Sequence, residues 1–222
     1  MPSRSELVAT LWKGRDPFLG FPLGLYPDSR NELYPPHPYI AEAIEETRAQ
    51  FMVEIGVWKG NCTIAMAKMA KKLKIPNAVV LAIDTWLGSS EHWFSSWGES
   101  LNFEFGQPML MRTFASNVVL SDVADVVLPI PLDSINAYEV FKRANLKEID
   151  VLHIDAGHDY RSVMADLEAW WPLLRSGGWL VGDDYLDTGE WPEVKAAYDV
   201  FFKERNLFPL EFWSNKCRVK KP

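Results

Sequence analysis

Two cysteines in 222 residues set the first limits on this chain. Cys62 and Cys217 form no CxxC pair and no Cys/His array, which excludes a structural zinc site of the usual spacing. Cys62 falls at the start of a predicted helix, where a thiolate would be favoured, but a small apolar packing role suits it better. No apolar run approaches the ~20 residues that span a bilayer. The N-terminus has no charged-then-apolar leader pattern, so a cytoplasmic, reducing location and no membrane partner are expected. An excess of basic charge is also missing. The formal charge is −7, and nucleic-acid binders depend on neutralising phosphates, so no nucleic-acid partner is expected. Neither G-x-G-x-x-G nor a GK[ST] loop occurs, which removes the dinucleotide and P-loop fingerprints. Internal repeats and low-complexity linkers are absent.

What remains is an ordinary globular composition, 48% hydrophobic and 24% charged, with ten tryptophans to place in a core or at a binding surface. Residues 1–35 are rich in Pro, Gly and aromatics (DPFLGFPLGLYP, then LYPPHP) and are predicted to form an arm. The arm would be a clamp across the body or a contact between copies in a homo-oligomer. From 36 to 222 the chain reads as one domain. Helical spacing at Tyr39–Gln50 is followed by alternating strands and helices: strands at Phe51–Ile55, Ala78–Ile83, Ala124–Leu128, Val151–Ile154 and Trp179–Val181. Helices are predicted at Asn61–Leu73, Met109–Leu120, Ser134–Ala144 and Trp191–Arg205, with one more between the last two strands that ends at Ser176-Gly177-Gly178. The final segments, Phe208–Leu210 and Glu211–Val219, are too close for a crossover helix and should pair antiparallel. The pattern predicts an α/β, three-layer, Rossmann-like sandwich with a mostly parallel seven-stranded sheet and an antiparallel C-terminal hairpin.

Ile149 to Tyr185 carries the most chemistry. One strand ends at Asp155, the next at Asp183-Asp184, and His158 follows the first by three residues. Parallel strands finish on one edge, where ligands collect. Acids gathered there without a basic partner repel one another unless a cation, a shared proton or a substrate compensates. His158 is the candidate general base, suited to proton transfer near neutral pH, against the alternatives of helix-start hydrogen bonding or metal ligation. His153 points to the opposite face from its immediate neighbours and reads as a packed histidine.

The first strand runs through Glu54 into Gly56-Val57-Trp58-Lys59-Gly60-Asn61. A glycine there lets the backbone turn and a ligand approach closely, and the helix start that follows offers free N–H groups to an anion. Asn61, Thr63 or both would cap that helix or hold a ligand carboxylate. The second strand ends at Asp84, placed to accept from the hydroxyls of a ribose, or alternatively to cap a turn with Thr85.

The segments VEIGVWKGNCTIAMA, LAIDTWLGS, HIDAGHDYRSVMADLEAWWPLLRSGGWLVGDDY and FWSNKCRVKKP together resemble class I S-adenosylmethionine-dependent methyltransferases, in the branch of macrocin-type O-methyltransferases and proteins labelled cephalosporin hydroxylases. The resemblance covers Phe51 to the C-terminus. It implies that Gly56 and Gly60 flank the methionine part of S-adenosylmethionine with Glu54 fixing the turn, that Asp84 holds the ribose, and that Asp133 and Ser134 lie near the adenine, although LPIPLDS departs from the commoner G-D-S. It also implies that Asp155, Asp183 and Asp184 hold Mg²⁺ or Mn²⁺, hard cations suited to oxygen ligands. Asp155 and His158 would then serve catalysis. The expected activity is cation-assisted methyl transfer to a hydroxyl of a small molecule, a sugar or polyketide natural product. A rival is a non-catalytic partner or regulatory module that keeps the cofactor. A hydroxylase is disfavoured by the lack of a 2-His-1-carboxylate pattern. The aromatics between Trp86 and Phe105 would either stack on the acceptor or form a contact between copies.

Overall fold

The computed structural model describes residues 2–222. In chain order the elements are α1 (Arg4–Leu11), α2 (Pro38–Thr47), β1 (Phe51–Ile55), α3 (Asn61–Lys72), β2 (Val79–Ile83), α4 (Ser90–Phe94), β3 (Phe103–Glu104), β4 (Gln107–Pro108) and α5 (Leu110–Leu120). They continue with β5 (Val127–Ile130), α6 (Ser134–Arg143), β6 (Ile149–Ile154), α7 (Tyr160–Trp170), β7 (Leu174–Gly182), α8 (Pro192–Lys203), β8 (Glu211–Trp213) and β9 (Lys216–Lys220). Seven strands form one sheet in the order β5-β2-β1-β6-β7-β9-β8. The first five are parallel, and β9 and β8 close the sheet antiparallel, as the sequence pattern indicated. The topology reverses between β1 and β6, and a crevice for a ligand opens at such a switch point.

Alternation along the strands builds two cores. Phe51, Val53, Ile55, Leu81 and Leu152 pack beneath α1, α6, α7 and α8. Met52, Val80, Val151 and Val181 pack beneath α2, α3 and α5. All five residues of β1 and of β2 are buried, the mark of central parallel strands covered on both faces. Each such aliphatic side chain contributes roughly 1.5–3 kcal/mol through burial.

Three local features refine or correct the sequence reading. The N-terminal arm begins with a helix, α1, held by a capping box between Ser3 and Glu6. The arm covers the edge strand β5: Arg4 Nε donates to the Val127 carbonyl at 2.8 Å and Trp12 Nε1 to that of Pro129 at 3.0 Å. Such donors satisfy carbonyls that an open edge would leave free. Second, α7 stops at Trp170, and a 3₁₀ turn over Trp171–Leu173 leads into β7. Pro172 cannot extend the helix hydrogen bonding, so Ser176-Gly177-Gly178 lies inside the nine-residue strand, within the register shift against β6 that falls between Leu174 and Trp179. Third, the closing hairpin turns at Ser214-Asn215, with Ser214 in the left-handed region at φ 56°. Its strands are therefore 211–213 and 216–220.

Candidate active site

The tips of β1, β2, β5, β6 and β7 surround a cavity of about 720 Å³. Its floor is the βα turn after β1. Gly56 has φ +80°, and a Cβ there would lie 1.7 Å from the Asp155 carbonyl oxygen, so β1 and β6 approach at a distance only glycine allows. Asp84 braces the same turn. Its Oδ2 accepts from the amides of Val57 (2.8 Å) and Trp58 (2.9 Å), and Oδ1 accepts from Trp86 N at 2.7 Å. One acceptor position is left on Oδ1, enough for one ribose hydroxyl rather than two. Trp86, expected among the loop aromatics, is 1% exposed and donates through Nε1 to the Trp58 carbonyl.

The residues expected around a cofactor divide into two sets. Glu54, Gly56, Asn61, Asp84, Asp133 and Ser134 line the cavity, whereas Gly60 and Thr63 lie behind its wall. Gly60 is the left-handed residue before α3 and packs against Phe114, whose ring a Cβ would meet at 2.7 Å. Thr63 is fully buried and donates to Glu54 Oε2. Asn61 Oδ1 accepts from Tyr34 N at 2.8 Å, while its Nδ2 is buried with no protein partner. A buried orphan donor at a helix start matches a ligand carboxylate. Asp133 caps α6 through Asn136 N.

Sequence reasoning missed Asp166 on α7. It lines the cavity at 4% exposure, and Ser134 Oγ donates to it. Burial pushes its carboxyl up to about 6, against the opposing pull of the Ser134 hydroxyl.

The acidic rim contains a basic group that the strand ends did not reveal. Lys216, the first residue of β9, is 5% exposed. Its Nζ donates to Asp183 Oδ2 and lies 3.2 Å from His153 Nε2. Burial works against the Lys216 charge, but Asp183 and Asp155 outweigh it and raise its pKa. Burial likewise opposes the charge on Asp183, and Lys216 reverses that effect, holding the carboxyl below the usual range. Asp155 goes the other way: burial first, then the neighbouring Asp183 charge, raise its carboxyl well above the ordinary value. The two neighbouring carboxyls are thus pushed in opposite directions beside one ammonium.

The three aspartates do not close into one three-ligand group. Asp155 gathers with His158 and Asp184, ligand atoms within 4.8 Å of one another, and separately with His153 and Asp183. A third group, Glu54, Cys62 and His153, is self-satisfied: His153 Nδ1 and Glu54 Oε1 are 3.1 Å apart, and burial pushes the Cys62 thiol up. His153 is buried as expected, yet it is bonded at both nitrogens rather than merely packed.

His158 has a built environment. Its ring stacks on Trp191, centroids 4.0 Å apart and planes 22° from parallel. Nε2 stands 3.3 Å from Asp184 Oδ2, and Nδ1 is buried with no protein partner. Asp184 reaches this place by a left-handed turn, φ 53°, its amide held by Asp183 Oδ1 at 2.9 Å. Across the cavity His92 stacks on Trp58, centroids 4.1 Å apart, with Trp97 beside them. From the aromatic segment, Trp97 and His92 line the cavity, while Phe94 and Phe105 point to solvent. Among the described residues, seven carboxylates line the space and no Lys or Arg does. Such a lining suits a sulfonium and has no cationic side chain to hold a pyrophosphate.

Comparison with known proteins identifies the family and the fold. Residues 53–185 match the family model described as a methyltransferase domain. The chain belongs to this S-adenosylmethionine-dependent methyltransferase family. Among solved structures it is similar to the O-methyltransferase NovP, with 19% identity over 82% of this chain and 76% of that one and a TM-score of 0.61. It is also similar to TomG, an O-methyltransferase from Streptomyces achromogenes involved in tomaymycin synthesis and solved with SAM, at 12% identity over 82% and 78% of the chains and a TM-score of 0.59. An O-methyltransferase from Bacillus cereus in complex with SAH aligns at 16% identity over 100% and 93% of the chains, TM-score 0.57. At these identities the likeness is one of fold. A 49-residue stretch is 39% identical to an uncharacterized protein of Acanthamoeba polyphaga mimivirus, and the match spans 22% of each protein. Among the described residues, no helix is long and apolar enough to cross a membrane.

Proposed function

We propose that this protein transfers the methyl group of S-adenosylmethionine to a hydroxyl of a small molecule, with His158 as general base and a divalent cation held at Asp155 and Asp184. The observation that carries this reading is that His158, Asp155 and Asp184 converge in the same cavity as the glycine turn of the methyltransferase fold. When bound, the cofactor supplies an electrophilic methyl on a positive sulfur.

The chain's own groups provide position and charge. Gly56 lets the backbone approach the methionine end, Asn61 Nδ2 is free to donate to its carboxylate, and Asp84 Oδ1 has room for one ribose hydroxyl. Asp133, Ser134 and Asp166 line the opposite end, where the adenine would lie. Trp97, Trp58 and Trp191 offer ring faces for the acceptor and exclude water from it. His158 would take the acceptor proton on its imidazole, whose Nε2 faces Asp184 and whose Nδ1 is buried with no protein partner. Most of the rate enhancement would come from aligning the acceptor oxygen with the methyl group.

The donor set fits a hard cation. Asp155 and Asp184 offer oxygens, and the imidazole of His158 stands close enough to join them. Mg²⁺ or Mn²⁺ there would make an acceptor hydroxyl easier to deprotonate. A panel of hydroxylated sugars and polyketides, assayed for S-adenosylhomocysteine release with and without EDTA, tests the reading. Turnover that EDTA abolishes and Mg²⁺ restores is expected. Equal turnover in EDTA refutes the cation step, and cofactor binding without turnover on any hydroxyl favours a non-catalytic module.

A further inference from the structure

The closing hairpin places an ammonium inside the acidic rim. Register pairs Gly182 with Cys217, so Lys216 sits across from Asp183 at the tip of β7. A lysine has donors only. Lys216 Nζ gives one hydrogen to Asp183 Oδ2 and faces His153 Nε2, which must then accept. His153 Nδ1 therefore carries the proton toward Glu54 Oε1, and Thr63 holds the other oxygen of Glu54. Asp183 Oδ1 is filled as well, by Asn215 Nδ2 at 2.6 Å and Asp184 N at 2.9 Å. Two donors occupy both lone-pair positions of that oxygen. Three protein donors thus hold the Asp183 carboxylate and leave one position on Oδ2, whereas Asp184, in the same cavity lining, meets only His158 Nε2.

We infer that Lys216 is the resident cation of the acidic rim: it holds Asp183 out of the metal's ligand set and leaves Asp155 and Asp184 as the carboxylates that bind a divalent ion. Lys216 is then a positioning residue that ties the first turn of the cofactor site, through Glu54 and His153, to the group that orients Asp184. The ligand-set half of the inference rests on the cation reading above; the role of Lys216 as the built-in positive charge does not.

Calorimetric titration of Mn²⁺ alone into the full chain tests it in wild type, Asp183→Asn, Asp184→Asn and Lys216→Met. Asp183→Asn should bind Mn²⁺ within about threefold of wild type, and Asp184→Asn at least about tenfold more weakly, since affinity follows the count of charged ligands. Lys216→Met should bind about tenfold more tightly, because the freed carboxylate joins the site. Equal weakening by Asp183→Asn and Asp184→Asn overturns the inference, as does an unchanged affinity in Lys216→Met. If Lys216→Met does not fold, the comparison of the two aspartate variants decides alone. Should wild type bind no Mn²⁺ while Lys216→Met does, cation assistance falls and the resident-cation role stands. Silence in both proteins overturns both.

Discussion

Replacing Gly56 by alanine should damage this protein more than any other single methyl group added to its turns. Two costs add. An L-residue at φ +80° loses roughly 1–2 kcal/mol relative to glycine. The new Cβ would also sit 1.7 Å from the Asp155 carbonyl oxygen and 2.8 Å from Ala156 Cα, both backbone atoms that cannot swing aside. Relieving that overlap means parting β1 from β6, and overpacking of this kind costs roughly 1–3 kcal/mol or more. The total of about 2–5 kcal/mol corresponds to a fall in Tm of roughly 10 °C for a domain of this size. Gly106 provides the control, since it has φ +79° with nothing within 4 Å of its added Cβ. Gly106→Ala should lose only the conformational part, about 1–2 kcal/mol. Differential scanning calorimetry of the two variants separates strain from contact. Equal melting temperatures would refute the claim that the β1–β6 approach requires glycine. Because the same turn floors the cofactor crevice, Gly56→Ala should also lose S-adenosylhomocysteine binding, and Gly106→Ala should keep it.

Other expectations concern charge and the proton. Asp166 has its pKa raised to about 6, so the folded chain holds that proton more tightly than the unfolded chain does. Between the ordinary value of 3.8 and about 6, its contribution makes stability fall as pH rises, by about 3 kcal/mol in all. Asp166→Asn should therefore raise stability at pH 7.5 by roughly 1–3 kcal/mol and flatten that part of the curve, and urea titrations at pH 4, 5, 6 and 7.5 that run parallel to wild type would contradict it. Asp184→Ala should abolish turnover while S-adenosylhomocysteine affinity, measured by calorimetry, changes less than about threefold, a pattern set by loss of acceptor activation alone. His158→Ala should lower kcat by about 10²–10⁴-fold, the usual worth of a general base. Trp191→Ala, which removes the ring stacked on His158, should lower kcat with a smaller change in cofactor KM.

The fold was legible because buried parallel strands and amphipathic helices repeat with different periods, and the strand ends marked the rim where Gly56, Asp84, Asp155 and Asp184 meet. The details that escaped depend on distant register or on backbone partners. Lys216 was invisible because a short hairpin can turn at several positions, and only the turn at Ser214-Asn215 sets it opposite Asp183. Asp84 looked free for a ribose, but three amides from two turns occupy most of its carboxylate, and amides leave no trace in a sequence. Thr63 and Asn61 stand two residues apart at the start of α3. That spacing rotates them to different sides of the helix, so one meets Glu54 in the core and the other faces the cavity. A finer reading of that helix would have separated them. Asp166 carried a weaker signal, a charged residue on the buried stripe of α7 between Val163 and Leu167.

The central claim is that the crevice at the tips of β1 and β2 binds a sulfonium nucleoside facing the acidic rim. Calorimetric titration of S-adenosylhomocysteine into the intact protein tests it most directly. A saturable heat at one molecule per chain, lost in Gly56→Ala, is the predicted result. No heat with the wild-type protein, or an unchanged isotherm in Gly56→Ala, would contradict it.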